Sequence, residues 1–287
     1  MRKKVGIVSM NYDQWEIGQI IEAVRSNSYD VDLMDPRKEV LTLDKIYNEG
    51  SKYQSVLGRV ERPILQSGLM LLKELELNGE RMVNNFQAIQ YGQNKCYTSM
   101  LLAKKKIRHP KTICSYTNQV AEILSQIKEF TYPIVFKPIS GGRGEGVSRA
   151  CCLEEAIELI TVLTNCSVPF YIQEFIRNKQ QKGYFDYRIF VVGEEAIGGI
   201  RRQAFGENWK TNICNGGVAQ EIKLNDELTQ LAVASAKAIG ADIAGIDVIE
   251  GDEGYFVLEV NVCPLFHGLY EATGINPAVN IASLLCA

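Results

Sequence analysis

The chain has 287 residues, 46% of them hydrophobic and 23% charged, with a formal net charge of −3 at pH 7. That length and mixture exclude a disordered chain and a small disulfide scaffold, and leave room for two domains or one domain with subdomains. Lysine and arginine are spread along the chain rather than gathered in a basic patch, so nucleic acid is not an expected partner.

Eight cysteines include no C-x-x-C pair, and only two histidines are present, His109 and His267. Zinc and a disulfide framework are both disfavoured, and reduced cysteines acting as small apolar filler are expected. The basic start at Arg2, Lys3 and Lys4 precedes an apolar run too short for a signal segment, and no stretch approaches the roughly 18 apolar residues of a membrane span. A cytoplasmic protein without a membrane partner is expected.

In chain order, strands are predicted over 5–10, 29–34, 55–60 and 81–84, with helices over 15–24 and 64–77. This alternation predicts a small parallel α/β unit. It carries no nucleotide fingerprint, which leaves substrate docking or architecture as its role. Polar residues and Gly92 mark a boundary at 84–94, before a helix over 95–106 with Lys95 in its first turn. A lysine there opposes the helix dipole and, taken alone, reads as a solvated charge.

Residues 132–138 (Y-P-I-V-F-K-P) form an apolar strand with Lys137 near its end, leading into S-G-G-R-G-E-G at 140–146. A lysine in a buried strand requires an anion. Gly142, Gly144 and Gly146 would let backbone N–H groups approach that anion and let the loop close as a flap, although a glycine-rich hairpin without a ligand reads the same way. The run is neither a P-loop nor a dinucleotide fingerprint. After a helix over 153–163, the strand at 169–176 breaks its apolar pattern at Gln173 and Glu174, residues suited either to hydrogen-bonding a planar base or to an ordinary strand end.

Asp186 and Arg188 then share one strand face as a candidate salt bridge, and a strand over 196–200 delivers Arg201 and Arg202 before the polar loop that starts at Asn212. Such arginines read as solvated ion pairs or as phosphate and carboxylate clamps. Near the C-terminus, two β-prone runs joined by Gly251-Asp252-Glu253-Gly254 predict a hairpin. Its apolar pattern is broken by Asp247, Glu259 and Asn261. A three-residue loop Asp252-Glu253-Gly254, with Gly254 in a left-handed position, sets Asp247 opposite Glu259. Two carboxylates and an amide oxygen on one face would then suit magnesium, while a solvated edge hairpin is the plainer reading. His267, beyond the hairpin, reads as a substrate contact or a loop hydrogen-bonding residue.

Taken in order, N-K at 94–95, V-F-K-P with the glycine run, I-Q-E-F-I, D-Y-R, the Arg201-Arg202 pair, G-I-D-V, L-E-V-N and A-T-G-I-N resemble the RimK-like ligases of the ATP-grasp superfamily over roughly 94–280. The resemblance implies an α/β (α+β) ATP-grasp fold with an N-terminal parallel α/β domain. Its expected domains are 1–93, a central subdomain 94–168 with the flap, and a C-terminal subdomain 169–287 with the adenine strand and metal site. It also implies Lys95 and Lys137 on the ATP phosphates; Gln173, Glu174, Phe175 and Ile176 on adenine; and Arg188 on a phosphate or acylphosphate. Arg202 and Asn212 are expected near the γ-phosphate or substrate carboxylate, and Asp247, Glu259 and Asn261 on two magnesium ions, replaceable by manganese. The implied reaction joins a small-molecule or peptide carboxylate to the amino group of an amino acid, glutamate foremost, through an acylphosphate. A homo-oligomer, dimer or tetramer, is expected. A phosphotransferase that forms no amide, or a non-catalytic nucleotide-binding regulator, is the alternative.

Overall fold

A computed structural model describes residues 2–40, 51–142, 144–179, 183–204, 209–211 and 218–287. The N-terminal unit runs β1 (Lys4–Val8), α1 (Trp15–Ser26), β2 (Asp30–Met34), β3 (Ser55–Gly58), α2 (Leu65–Leu77) and β4 (Met82–Val83), and its four strands form a parallel sheet of order β2-β1-β3-β4. The short helix α3 (Phe86–Gly92) leads into α4 (Lys95–Lys104). Asn94 caps α4, its side-chain oxygen accepting from the N–H groups of Cys96 and Tyr97, which fixes Lys95 as the first helical residue.

The middle of the chain supplies β5 (Thr112–Ser115), α5 (Val120–Ile127), β6 (Ile134–Pro138), β7 (Ser148–Ala150), α6 (Leu153–Asn165) and β8 (Phe170–Glu174). Their sheet has the order β5-β8-β6-β7 and is antiparallel throughout. Its core of Ile123, Ile134, Phe136, Ile160, Phe170 and Ile172 is contributed entirely by this segment. Because β8 hydrogen-bonds to β5 and β6, a boundary at 168/169 would part this strand from its own sheet.

The remainder forms β9 (Phe185–Val192), β10 (Glu195–Gln203), β11 (Val218–Glu221), α7 (Asp226–Ala238), β12 (Ile243–Gly251), β13 (Gly254–Asn261), α8 (His267–Thr273) and α9 (Pro277–Cys286). The sheet order is β11-β10-β9-β12-β13, again antiparallel. Two hydrophobic clusters join this sheet to the N-terminal unit, one through Val8, Leu72 and Ile89 against Ile189, Ile246 and Val257, the other through Ile7, Ile20 and Leu57 against Phe190, Ile243 and Ile281.

The β12–β13 hairpin departs from the expected loop. Gly251 pairs with Gly254, leaving the two-residue loop Asp252-Glu253, although Gly254 does carry a φ of +110°. An even loop alone would set Asp247 opposite Leu258. Parity is restored further along the strand, where the register shifts from Val248 opposite Val257 to Asp247 opposite Glu259, so that Leu258 is bulged out. Val257 and Val260 point into the core, whereas both Leu258 and Glu259 line the cleft described next.

Candidate active site

The central and C-terminal sheets enclose a cleft of about 960 Å³, part of it open to solvent. Its cationic and acidic groups include Lys95 from the start of α4, Lys137 from β6, Glu174 from β8, Asp186 from β9, Arg202 from β10, and Asp247 and Glu259 from the hairpin, with Glu145 and Lys210 besides, while Gly142 and Gly144 form its rim. Apolar walls come from Val135, Val147, Ile176, Ile249 and Leu258, and aromatic ones from Phe175, Tyr184 and Trp209. Phe175 meets Tyr184 and Trp209 edge to face, each with centroids 5.8 Å apart, and the Arg149 guanidinium stands 5.5 Å from the Phe175 ring.

The acidic face is organised by cross-strand pairs. Asp247 lies directly opposite Arg188, whose Nε and terminal nitrogen donate to the two carboxylate oxygens at 2.7 and 2.8 Å. Arg202 lies opposite Asp186 and donates to both its oxygens at 2.7 and 2.6 Å, while also standing 2.9 Å from Asp247. The expected Asp186–Arg188 salt bridge is therefore corrected. Two residues apart on one strand stand about 6.8 Å from each other, whereas direct cross-strand neighbours stand about 4.5–5.5 Å apart, so each carboxylate takes the arginine across from it. Thr211 adds a hydroxyl donor to Asp186 at 2.6 Å. Burial alone would raise the Asp247 pKa, but Arg188 and Arg202 hold it down at about 2. Burial likewise works against the charge on Arg202, and its two carboxylate partners more than reverse this, keeping it cationic.

Lys95 bridges the two sides of the cleft, donating to the Gly141 carbonyl at 2.8 Å and to Glu259 at 3.0 Å. Lys137 donates to the side-chain oxygen of Gln173 at 2.6 Å. Burial, with the Lys95 charge adding to it against the pull of Glu259, pushes the Lys137 ammonium down to about 8.

The cleft thus gathers Lys95, Lys137, Gly142, Gly144, Gln173, Glu174, Phe175, Ile176, Arg202, Asp247 and Glu259. Arg188 pairs with Asp247 but is not among the lining residues. Gly146 turns the loop at a φ of +68°, and the Asn261 side-chain oxygen accepts from the Cys263 N–H at 3.1 Å. Asn212 lies outside the described residues. His267 also stands away from the cleft, its ring 4.6 Å from that of Trp15 and its backbone N–H donating to the Glu16 carboxylate. Asp186, Trp209, Lys210 and Thr211 line the cleft without having been singled out as site residues. The D-Y-R and W-K-T runs were the available signal.

Among the described residues no cluster of three or more His, Cys, Asp and Glu could hold a metal ion. The expected set has two carboxylates and one amide, all hard oxygen donors, and that chemistry suits magnesium with its other positions left to water and phosphate. Asp247 and Glu259 would have to exchange part of their arginine and lysine contacts for the ion.

Two antiparallel sheets closing on a cleft with paired lysines, a glycine rim and an acidic sheet face constitute the ATP-grasp architecture. The chain belongs to the RimK-like ATP-grasp domain family, which matches residues 92–285. It is similar to the "Probable alpha-L-glutamate ligase" of Alkalilimnicola ehrlichii, at 31% identity over 97% of this chain and 94% of that protein. The relative of the same name from Aliivibrio fischeri is 29% identical over 96% and 92%. Among solved structures, the fold matches ATP-grasp ligase PsnB complexed with minimal precursor, with a TM-score of 0.77 and 17% identity over 99% of both chains. It also matches the RimK domain protein ATP-grasp from Sphaerobacter thermophilus, with a TM-score of 0.74 and 20% identity over 99% and 100%.

Proposed function

We propose that the protein is an ATP-dependent ligase that joins a small-molecule or peptide carboxylate to the α-amino group of an amino acid, foremost glutamate, the amino acid in the names of its relatives. The observation that carries this reading is the convergence in one cleft of Lys95, Lys137 and Arg202 with Asp247 and Glu259, beside apolar and aromatic walls. Cations and glycine N–H groups neutralise a triphosphate, and the walls exclude water from it.

In this reading Lys95, Lys137 and the rim amides of Gly142 and Gly144 orient the phosphates. Asp247, Glu259 and Asn261 are the residues that would hold magnesium, which supplies charge neutralisation of the phosphate oxygens. Arg188 and Arg202 orient the carboxylates of Asp247 and Asp186 across the sheet, and Asp247 would give up part of its arginine contact when the ion binds. The substrate carboxylate oxygen attacks the γ-phosphorus and ADP departs. The neutral amine nitrogen then attacks the acyl carbon of the acylphosphate, the C–O bond to phosphate breaks, the nitrogen gives up a proton to the departing phosphate or to water, and an amide remains. The chain contributes positioning and charge rather than a covalent nucleophile.

The test is purified protein with ATP, magnesium and panels of carboxylates and amines. ADP release that requires both substrates, with an amide product by mass spectrometry, is expected. ADP release with a carboxylate alone and no amine dependence would make the protein a phosphotransferase. Nucleotide binding with no turnover on any pair would make it a regulator.

A further inference from the structure

Gln173 is one of the four residues, with Glu174, Phe175 and Ile176, that the resemblance places on adenine, yet in the structure it is 2% exposed and fully engaged. Its side-chain oxygen accepts from Lys137 at 2.6 Å, and its nitrogen donates to the Tyr171 hydroxyl at 2.8 Å and, more weakly, to Thr112 Oγ1 at 3.4 Å. Both amide hydrogens are thereby spent, and a ligand would be offered only a second lone pair on an oxygen already held by an ammonium. The Tyr171 hydroxyl in turn meets Ser99 Oγ at 2.7 Å, and Tyr171 is 1% exposed. Ser99 lies one turn beyond Lys95 on α4, so a single buried relay ties the helix that carries one cleft lysine to the side chain of the other.

We propose that Gln173 and Tyr171 are positioning residues that hold the Lys137 ammonium toward the cleft, and that the Gln173 amide does not read the base. This rests on the nucleotide role of the cleft proposed above. The orientation follows from donor and acceptor chemistry. An ammonium has only donors, so it must face the amide oxygen, and the amide is kept that way round because its nitrogen has a hydroxyl to donate to. With that hydroxyl removed, the amide can turn and set its own N–H groups against Lys137. An orphaned buried ammonium or amide then costs more than the lost hydrogen bond itself.

A double-mutant cycle with ADP as the probe tests this by calorimetry on the full chain. Gln173→Met is expected to weaken ADP binding about tenfold in the otherwise unchanged protein and less than about twofold in a Lys137→Ala background, because its effect passes through the lysine. Tyr171→Phe, which removes one oxygen, is expected to weaken binding about threefold with the same dependence on Lys137. If Gln173→Met does not fold, as read from its thermal melt, the Tyr171→Phe cycle decides. A loss that persists undiminished without Lys137 overturns the proposal, since Gln173 would then act on the nucleotide directly. If wild-type ADP binding itself is undetectable, the nucleotide role of the cleft falls instead.

Discussion

Asp247 accepts both donors of Arg188 and stands within 2.9 Å of Arg202, so removing its charge takes this carboxylate from Arg188 and leaves Arg202 with Asp186 alone. Asp247→Asn is expected to cost about 3 kcal/mol at pH 7, as breaking a buried ion pair does, and to abolish ligase turnover. Its pH dependence has a definite sign. The folded pKa of about 2 lies below the usual carboxylate value, so the stabilisation is complete above about pH 4 and is lost as pH falls through about 2. Urea unfolding should therefore show the gap between wild type and Asp247→Asn narrowing by about 1 kcal/mol from pH 7 to pH 3. A gap independent of pH would mean that the ionised carboxylate is not what stabilises the site. Asp247, Glu259 and both lysines were legible because each is a charge interrupting an apolar strand or standing at a helix start. The pairing of Asp186 with Arg202 was not, since strand register is a tertiary property that a same-strand spacing does not contain.

At the scale of the element, the hairpin shows how one bulge serves two purposes. Without the extra residue, strand alternation would send Leu258 and Glu259 to opposite faces. With it, an apolar wall and a carboxylate stand side by side in the cleft while Val257 and Val260 remain in the core. Leu258→Ala is accordingly expected to weaken ADP binding by about 1–2 kcal/mol, the worth of two or three methylene-sized groups, measured by calorimetry. The melting temperature should stay close to wild type, because the wall faces the cleft. An unchanged ADP affinity would remove Leu258 from the base site. The hairpin itself could be read from its turn residues, but the position of the bulge could not, since Leu258 carries no conformational marker as glycine does. Elements β5, β7, α5 and α7 went unread for related reasons. The two strands are only four and three residues long, and α7 builds its buried stripe partly from Ala232, Ser235 and Ala236, which give little hydrophobic contrast.

Across the whole molecule, the hydrophobic clusters divide the chain differently from its order. Among the described residues, the buried core of the N-terminal unit is shared with the last sheet, whereas the central sheet keeps its own. We propose that the cooperative units are the N-terminal unit together with the last sheet, and the central sheet by itself. Asn84 is the polar fastener of the first. Its side-chain oxygen accepts from the N–H groups of Asp242 and Ile243, and its nitrogen donates to the carbonyls of Ile243 and Val262 at 2.7 and 2.8 Å, all in a residue 1% exposed with a φ of +51°. Asn84→Ala would strand those backbone groups and lose the residue type that tolerates this backbone, a cost of about 3–5 kcal/mol. Hydrogen exchange in sub-denaturing urea should then show amides of β1 and β12 losing protection together in this variant, while those of β6 and β8 keep their wild-type rates. Equal loss in all three sheets would mean that the central sheet is not an independent unit. Loss confined to β1 and β4 would mean that the shared core does not couple the N-terminal unit to the acidic face of the cleft.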